Sequence, residues 1–161
     1  MTGKIIDAQD LAARATQLRD TGKRLVFTNG CFDLLHVGHV RYLAAARALG
    51  DVLAVGVNGD ESVRTLKGSN RPINSERDRA EVLAALESVD LVTIFPDVRA
   101  TRLLAMVRPD VYAKGGDYTP ETLNPEERAI LDEIGAEISI IPFLPGYSTS
   151  RIIQQLGPAR P

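Results

Sequence analysis

Short apolar runs alternate along the chain with longer segments in which apolar residues recur every three or four positions. The short runs lack the strict alternation of a half-exposed strand, which is typical of strands covered on both faces. The longer segments predict amphipathic helices. Predicted strands cover residues 24–28, 51–57, 91–95, 111–113 and 137–141. Predicted helices lie between Asp7 and Gly22 and over residues 40–49, 76–87, 98–107, 125–134 and 149–156.

The order of these elements predicts an α/β fold with a doubly wound, five-stranded parallel sheet and helices on both faces. Ligands bind such sheets beyond the carboxyl ends of the strands, so the loops that follow the strands are the candidate site. We expect one domain over residues 1–161, with an N-terminal helix in 1–22, an α/β core over 24–156 and a frayed tail at 157–161.

Composition narrows the class of protein. The 161 residues include 19 lysines and arginines against 21 aspartates and glutamates, a formal net charge of −2. This balance argues against binding to nucleic acid, which requires a basic surface. The single cysteine, Cys31, excludes an internal disulfide framework and fits a reducing compartment. No apolar run is long enough for a membrane span or a secretory signal, so we expect a cytoplasmic protein without a membrane partner.

Both histidines of the chain, His36 and His39, lie in the segment that follows the first predicted strand. Gly38 lies between them and lets the backbone approach a ligand closely. The N-terminus of the next predicted helix offers unpaired N–H groups and a dipole that favours an anion. The segment therefore predicts a phosphate site. Three other interpretations stay open: buried polar filler residues, a zinc pair, and a nucleophilic Cys31–His36 pair.

Charged residues in the later loops each have an ordinary structural interpretation. Asp60 is suited to cap a following helix as well as to contact a ligand. Lys67 and Arg71 lie in a polar segment with glycine and proline, which predicts a mobile loop with solvated side chains. Arg79 is suited to a surface pair with Glu76 on one helix face.

Two further segments follow the fourth and fifth strands. KGGDY, residues 114–118, combines two glycines that let backbone approach a ligand with a tyrosine ring for base stacking. GYSTSR, residues 146–151, carries hydroxyls at a helix start, where they can cap the helix while its N-terminus holds phosphate.

NGCFDLLHVGHVRYLAAARALGD, residues 29–51, resembles the first motif of the HxGH nucleotidyltransferases, which include the cytidylyltransferases and the bacterial heptose-phosphate adenylyltransferases. The resemblance extends over residues 25–156 and includes KGGDY and a closing G-x-S-T-[ST] motif at 146–150. It implies a Rossmann-like fold and transfer of a nucleotidyl group from a nucleoside triphosphate to a phosphate acceptor, with release of pyrophosphate and use of Mg²⁺. Because Mg²⁺ keeps several waters, we expect no direct protein ligand to it.

The resemblance also implies three groups of site residues. The catalytic residues are His36, His39, Lys67 and Arg79. The nucleotide-binding residues are Asn29, Gly30, Cys31, Phe32, Gly38, Lys114, Gly116, Asp117, Tyr118, Tyr147, Ser148 and Thr149. The acceptor-binding residues are Asp33, Asn58, Asp60 and Arg71. We expect the acceptor phosphate to attack directly, while the histidines stabilise charge on the leaving pyrophosphate.

Two features favour the adenylyltransferase branch. KGGDY resembles the heptose-phosphate enzymes in particular, and Phe143 stands where many cytidylyltransferases carry an arginine three residues before the closing glycine. This branch implies transfer of AMP from ATP to D-glycero-β-D-manno-heptose 1-phosphate, giving ADP-heptose for lipopolysaccharide core synthesis. It also implies a possible homodimer and, because 161 residues leave no room for a kinase domain, a separate heptokinase.

Other functions remain as alternatives. A CTP-dependent enzyme for glycerol 3-phosphate or a related alcohol phosphate belongs to the same class. A pantetheine-phosphate enzyme is disfavoured, because that branch normally has threonine in place of the first histidine. A non-catalytic nucleotide-binding subunit is a third alternative, although such a subunit would not need His36, Gly38, His39 and Lys67 together.

Overall fold

A computed structural model describes residues 3–116, 119–142, 146 and 148–157. Its five strands form one sheet in which all neighbouring pairs are parallel, in the order β3-β2-β1-β4-β5. The strands are β1 (Leu25–Gly30), β2 (Val52–Asn58), β3 (Leu91–Phe95), β4 (Val111–Gly115) and β5 (Glu137–Ile141). The chain moves outward from β1 to β3 and then returns to the other side of β1. This confirms the predicted doubly wound, Rossmann-like sheet, and the reversal falls between β1 and β4.

Helices connect the strands on both faces. In the described part of the chain they are α1 (Ala8–Asp20), α2 (Val37–Arg47), α3 (Asp60–Lys67), α4 (Glu76–Ala84), α5 (Thr101–Val107), α6 (Pro125–Ile134) and α7 (Thr149–Leu156), with a 3₁₀ turn at Pro120–Thr122. None of these helices is long and apolar enough to cross a membrane.

Helix α3 is absent from the predicted elements. It has two turns, and Ser62 and Val63 are its only buried residues, so its apolar pattern is too short to stand out from a loop. Lys67 was predicted to lie in a mobile loop. In the structure it is the last residue of helix α3. Asp60 is the first helical residue and Gly59 is the N-cap, so the interpretation of Asp60 as the cap is wrong.

Three predicted helix boundaries shift for local reasons. Helix α2 begins at residue 37 rather than 40, because the preceding side chain caps it. Helix α4 ends at residue 84 rather than 87, where tight turns follow and Lys4 donates to the carbonyl oxygens of Leu86 and Val89 at 3.2 and 2.7 Å. Helix α5 begins at residue 101 rather than 98, because the backbone before it is held by side chains from other elements.

Each face of the sheet has its own hydrophobic cluster. Alternate residues of β1 point to opposite faces, so Val26 joins one cluster while Leu25 and Phe27 join the other. The first cluster includes buried residues of α2 and α4, and the second includes residues of α1, α5 and α6. The site at the carboxyl edge of the sheet therefore has walls from both faces.

The segment before α1 covers one edge of the sheet. Val92 of β3 donates to the carbonyl of Lys4 at 2.8 Å, and its own carbonyl accepts from Ile6 N–H at 3.0 Å. Leu11 and Ala15 of α1 are fully buried in the second cluster. The N-terminal helix therefore packs as an integral part of the α/β core, and its leading segment satisfies backbone groups of an edge strand.

Candidate active site

A cavity of about 740 Å³ lies at the carboxyl ends of the strands, where the topology predicts a ligand. Most residues expected at the site line it: Asn29, Gly30, Cys31, Phe32, Asp33, His36, His39, Asn58, Lys67, Arg71, Lys114, Ser148 and Thr149. Four expected residues do not line it: Gly38, Asp60, Arg79 and Gly116. Asp117, Tyr118 and Tyr147, and the position of Phe143, lie outside the described residues.

The two histidines face each other at the start of α2. His36 is the N-cap of the helix, and its Nδ1 accepts a hydrogen bond from Gly38 N–H at 3.1 Å. Since an imidazole nitrogen that accepts carries no proton, the proton of neutral His36 is on Nε2. The ring centroids of His36 and His39 are 4.0 Å apart. Gly38 therefore acts through its backbone, by orienting the ring of His36.

The ring of His39 also packs against Phe32, which in turn lies against Gly30. The ring of Phe32 meets the His39 ring edge-on at a centroid distance of 5.5 Å. Phe32 has a left-handed φ of 47°, which is rare for a bulky residue and directs its ring toward Gly30. A Cβ at Gly30 would lie 3.1 Å from that ring, so a larger residue there would require the ring of Phe32 to shift by a few tenths of an ångström.

Burial keeps both imidazoles neutral. It lowers the pKa of His36, and together with the neighbouring His36 ring it lowers the pKa of His39 to about 4. Nδ1 of His39 is buried and has no hydrogen-bond partner among the described residues. The pair thus forms a neutral, preorganised surface with hydrogen-bonding capacity for a phosphorylated ligand.

Two of the alternative interpretations of the histidines lose support. No group of three or more metal-binding side chains occurs among the residues that the structure describes. Burial raises the pKa of the Cys31 thiol, although Lys67 and Arg79 oppose this, so the thiolate needed for nucleophilic attack is disfavoured.

Asp33 and Arg71 bind each other rather than standing free for an acceptor. The buried carboxylate of Asp33 accepts from the Arg71 guanidinium, from Ile73 N–H at 2.8 Å and from Asn74 N–H at 3.1 Å. Burial alone would raise the pKa of Asp33, but these hydrogen bonds and the Arg71 charge lower it. The pair ties the segment before α4 to the histidine loop, and since both residues line the cavity, their role in binding the acceptor stays a prediction.

Arg79 is buried within the protein, with 2% of its surface exposed. Its guanidinium donates to the carbonyl of Cys31, to the carbonyl of Asn74 at 3.1 Å and to Asp60 Oδ1 at 2.9 Å. The surface pair with Glu76 is not formed, because Glu76 instead accepts from Asp60 N–H at 2.7 Å. Arg79 therefore joins three segments around the site, and the structure places neither Arg79 nor Asp60 in the cavity wall.

The remaining expected residues line or brace the cavity. Ser148 Oγ caps α7 by accepting from Arg151 N–H at 3.1 Å, and Thr149 donates to the carbonyl of Leu34 at 2.9 Å. These contacts hold the N-terminus of α7 against the histidine loop. Asn29 accepts from the Tyr112 hydroxyl at 2.8 Å. Gly116 adopts a φ of 116° and donates to the carbonyl of Ile141 at 3.1 Å, so it shapes the end of β4.

Gly115 and Ser150 also line the cavity and belong to the predicted KGGDY and closing segments. Seven other cavity residues have no counterpart in the sequence prediction: Leu66, Val98, Arg99, Thr122, Leu123, Asn124 and Glu127. Arg99 follows β3 and Glu127 lies in the first turn of α6, where a charged residue looks like an ordinary solvated position. The rule that loops after strands carry the site would have included Arg99, whereas no local signal distinguishes Glu127.

The charge of the cavity differs from that of the chain. Its described wall carries four cationic side chains and two carboxylates: Lys67, Arg71, Arg99 and Lys114 against Asp33 and Glu127. Cations around a pair of neutral imidazoles favour a small polyanion such as a triphosphate. A Rossmann-like sheet with a His-x-Gly-His helix start in a cationic cavity defines an enzyme that transfers nucleotidyl groups.

Comparison with known proteins leads to the same class. Residues 27–155 match the sequence model of the family described as cytidylyltransferase-like, and the chain belongs to that family of nucleotidyltransferases. It is 49% identical over 153 residues to the "Bifunctional protein HldE" of Geotalea uraniireducens (strain Rf4), covering 95% of this chain and 31% of that protein. It is 50% identical to the protein of the same name from Bradyrhizobium sp. (strain ORS 278), and this match covers 94% of this chain and 31% of that protein. The chain thus spans about a third of the length of these relatives.

Solved structures share the fold. The crystal structure of the lipopolysaccharide core biosynthesis protein from Thermoplasma volcanium GSS1 superimposes with a TM-score of 0.61 at 27% identity, covering 76% of this chain and 98% of that one. The pantoate-beta-alanine ligase from Francisella tularensis superimposes with a TM-score of 0.60 at 15% identity, covering 91% and 68%. At 15% identity the second likeness concerns the fold alone.

Proposed function

We propose that the chain transfers AMP from ATP to D-glycero-β-D-manno-heptose 1-phosphate and releases pyrophosphate. The observation that carries the reaction type is the close His36–His39 pair, with ring centroids 4.0 Å apart, inside a cationic cavity. The KGGDY segment and the likeness to a lipopolysaccharide core biosynthesis protein support the sugar phosphate as acceptor. We place the reaction in the cytoplasm, where ATP is available, with the acceptor supplied by a separate kinase reaction.

The proposed reaction needs no protein nucleophile, because the acceptor phosphate is already one. Its oxygen attacks the α-phosphorus of ATP, and the bond from that phosphorus to the α/β bridging oxygen breaks. His36 donates a hydrogen bond from Nε2 to the departing pyrophosphate. The neighbouring ring of His39 contacts the same phosphates. Lys67, which has no acidic partner among the described residues, neutralises phosphate oxygens as charge moves toward the leaving group.

Arg79 and Asp33 have a different part in this proposal. Neither offers a free charged group to the substrate, since each is engaged by protein atoms. They hold the histidine loop and the segment before α4 in place, so their contribution to catalysis is alignment. Asp60 likewise serves Arg79 rather than the acceptor.

The carboxylates near the histidines do not fit a Mg²⁺ ion held by the protein. Asp33 and Asp60 already bind arginines. Nucleotidyltransferases generally use a divalent metal with the nucleotide, and we therefore treat Mg²⁺ as part of a MgATP substrate. We assign no step to a protein-bound metal.

Pyrophosphate release tests the proposal directly. The full chain is incubated with MgATP and the heptose 1-phosphate, and in parallel with MgCTP and glycerol 3-phosphate, because the family description also fits a cytidylyltransferase. We expect release with the first pair and little with the second. No release with ATP and the heptose phosphate overturns the proposal, and release with CTP and glycerol 3-phosphate identifies the other branch.

A further inference from the structure

The cavity has a second wall that neither the histidines nor the phosphate-binding loops form. We call it the far wall and define it by Asn58, Val98, Arg99, Leu123, Asn124 and Glu127. Its residues come from the end of β2, the loop after β3 and the start of α6. Since α2 packs on one face of the sheet and α5 and α6 pack on the other, the far wall lies across the sheet edge from the histidines.

Glu127 is the unusual residue of this wall. It is 5% exposed, yet it lines the cavity and has no ion-pair partner in the described part of the chain. Its Oε1 accepts from Ala100 N–H at 3.1 Å, which holds the start of α5. Its other carboxylate oxygen has no hydrogen-bond donor among the described residues. Because Glu127 lines the cavity and this oxygen is not among the buried unpartnered atoms of the described residues, it is open to a donor that a ligand brings into the cavity.

Donors face the same part of the cavity. Arg99 has neither an acidic partner nor a hydrogen bond among the described residues, whereas nearby Arg102 pairs with Asp97 at 3.2 Å. Asn58 holds the loop that carries Arg99 by donating to the carbonyl of Asp97 at 3.2 Å. The amide oxygen of Asn124 caps α6, which leaves its NH₂ group available.

A wall with one carboxylate acceptor and two donors matches hydroxyl groups, because each hydroxyl both donates and accepts. Phosphate fits poorly there, since its charge would face the Glu127 carboxylate. The reacting phosphates belong at the histidines and Lys67. With the phosphate of the acceptor at the histidines, the rest of the acceptor molecule extends toward the far wall.

We propose that Glu127 and Arg99 bind hydroxyl groups of the acceptor and thereby select a polyhydroxylated sugar phosphate. This inference rests on the proposed function and adds the residues that recognise the acceptor body. A cavity of about 740 Å³ is within the range of roughly 300–1,000 Å³ that small-molecule sites occupy. A nucleotide base in the same place is the competing outcome.

Glu127→Gln is the decisive variant, because glutamine keeps an oxygen for Ala100 N–H and replaces the unmet acceptor with an NH₂ group. Rates are measured for the heptose 1-phosphate and for a phosphate acceptor with fewer hydroxyls, at saturating MgATP. We expect kcat/KM for the heptose phosphate to fall about 10- to 100-fold, mostly through KM. The rate with the shorter acceptor and the KM for ATP should stay near wild type, so the discrimination between acceptors collapses.

Arg99→Gln should show the same selective loss, and it decides the question if Glu127→Gln does not fold, because Arg99 is exposed. Arg102→Gln is the matched control, since Arg102 lies nearby but outside the cavity, and its kinetics should be unchanged. Unaltered discrimination in both test variants overturns the inference, as does a rise in the KM for ATP alone. Those results leave the proposed function intact. If the wild-type chain is inactive on every sugar phosphate, both the proposed function and the inference about Glu127 and Arg99 are wrong.

Discussion

His36 and His39 differ in what surrounds their rings. The Nδ1 of His36 is engaged by Gly38 N–H, so the first turn of α2 sets the orientation of this imidazole. The Nδ1 of His39 is buried without a partner in the described part of the chain. His36 is therefore held in one orientation by the backbone of α2, whereas the Nδ1 of His39 is held by no hydrogen bond from the described residues.

At this scale we predict that His39→Ala lowers turnover by about 100- to 1,000-fold, because a preorganised contact to the leaving phosphates is lost. Steady-state pyrophosphate release measures the effect. Circular dichroism and thermal unfolding should show a folded protein. Val40→Ala, at an exposed position on the same helix, is the control and should keep wild-type turnover. Near-normal turnover of His39→Ala would remove His39 from the catalytic residues.

The histidines also predict how stability depends on pH. Burial and the neighbouring His36 lower the pKa of His39 to about 4 in the folded chain, from an ordinary value of 6.5. Between these values the unfolded state binds more protons, so the free energy of unfolding falls as the pH falls through this interval. Above pH 6.5 both states are neutral and the effect vanishes.

Urea unfolding at pH 7, 5.5 and 4.5 measures this dependence. We expect His39→Gln to lose less stability than the wild type between the highest and the lowest pH, because glutamine does not titrate. Parallel losses in the two proteins would contradict the assignment of the pH dependence to His39.

At the scale of elements, arginine–carboxylate contacts hold the site together. Arg79 on α4 binds the loop after β1, the segment before α4 and the first residue of α3. Arg71 binds Asp33 in the loop after β1. Two cations thus join α3 and α4 to the histidine loop, and the cavity keeps its shape because these buried contacts are satisfied.

We predict that Arg79→Met destabilises the chain by about 3 kcal/mol, because it leaves two carbonyls and the Asp60 carboxylate without their donor. Denaturant unfolding measures the change. Arg77→Met, an exposed position on the same helix, should change stability little. A large loss of turnover with unchanged stability in Arg79→Met would instead indicate direct contact with the triphosphate.

Parts of these elements could be predicted from sequence. The five strands follow from apolar runs, because a parallel sheet buries both faces of each strand. Helix α3 could not be found the same way, since two turns with one buried valine give too little periodic signal. The start of α2 was misplaced because the cap is a histidine, which is not among the usual capping residues.

At the scale of the whole molecule, a chain with a net charge of −2 has a cavity whose described wall carries more cations than carboxylates. Local charge rather than net charge therefore decides which ligand binds. A small polyanion is attracted to the cavity, whereas an extended polyanion meets the acidic remainder of the surface.

This arrangement predicts that MgATP stabilises the folded chain and so raises its thermal unfolding temperature. At a MgATP concentration 100 times its Kd, the free energy of unfolding should increase by about 2.7 kcal/mol. Differential scanning fluorimetry at low and high salt measures the shift, which should shrink as salt screens the exposed part of the attraction. Adenosine, which lacks the phosphates, is the control ligand and should shift the temperature little. An equal shift with adenosine would show that the base rather than the phosphates dominates binding.

The sequence by itself determined the order of the five strands and of every helix except α3, the edge of the sheet that binds ligand, and the loop that carries both histidines. These features depend on hydrophobic periodicity and on neighbouring residues, which are written locally along the chain. Only the tertiary structure decided which charged side chains are free. Asp33 meets Arg71 across 38 positions and Arg79 reaches Cys31 across 48, while Glu127 and Arg99 are left facing the cavity. Side chains so far apart in sequence become partners only when the sheet brings their loops to one edge, because Coulomb and hydrogen-bond energies depend on distance in space.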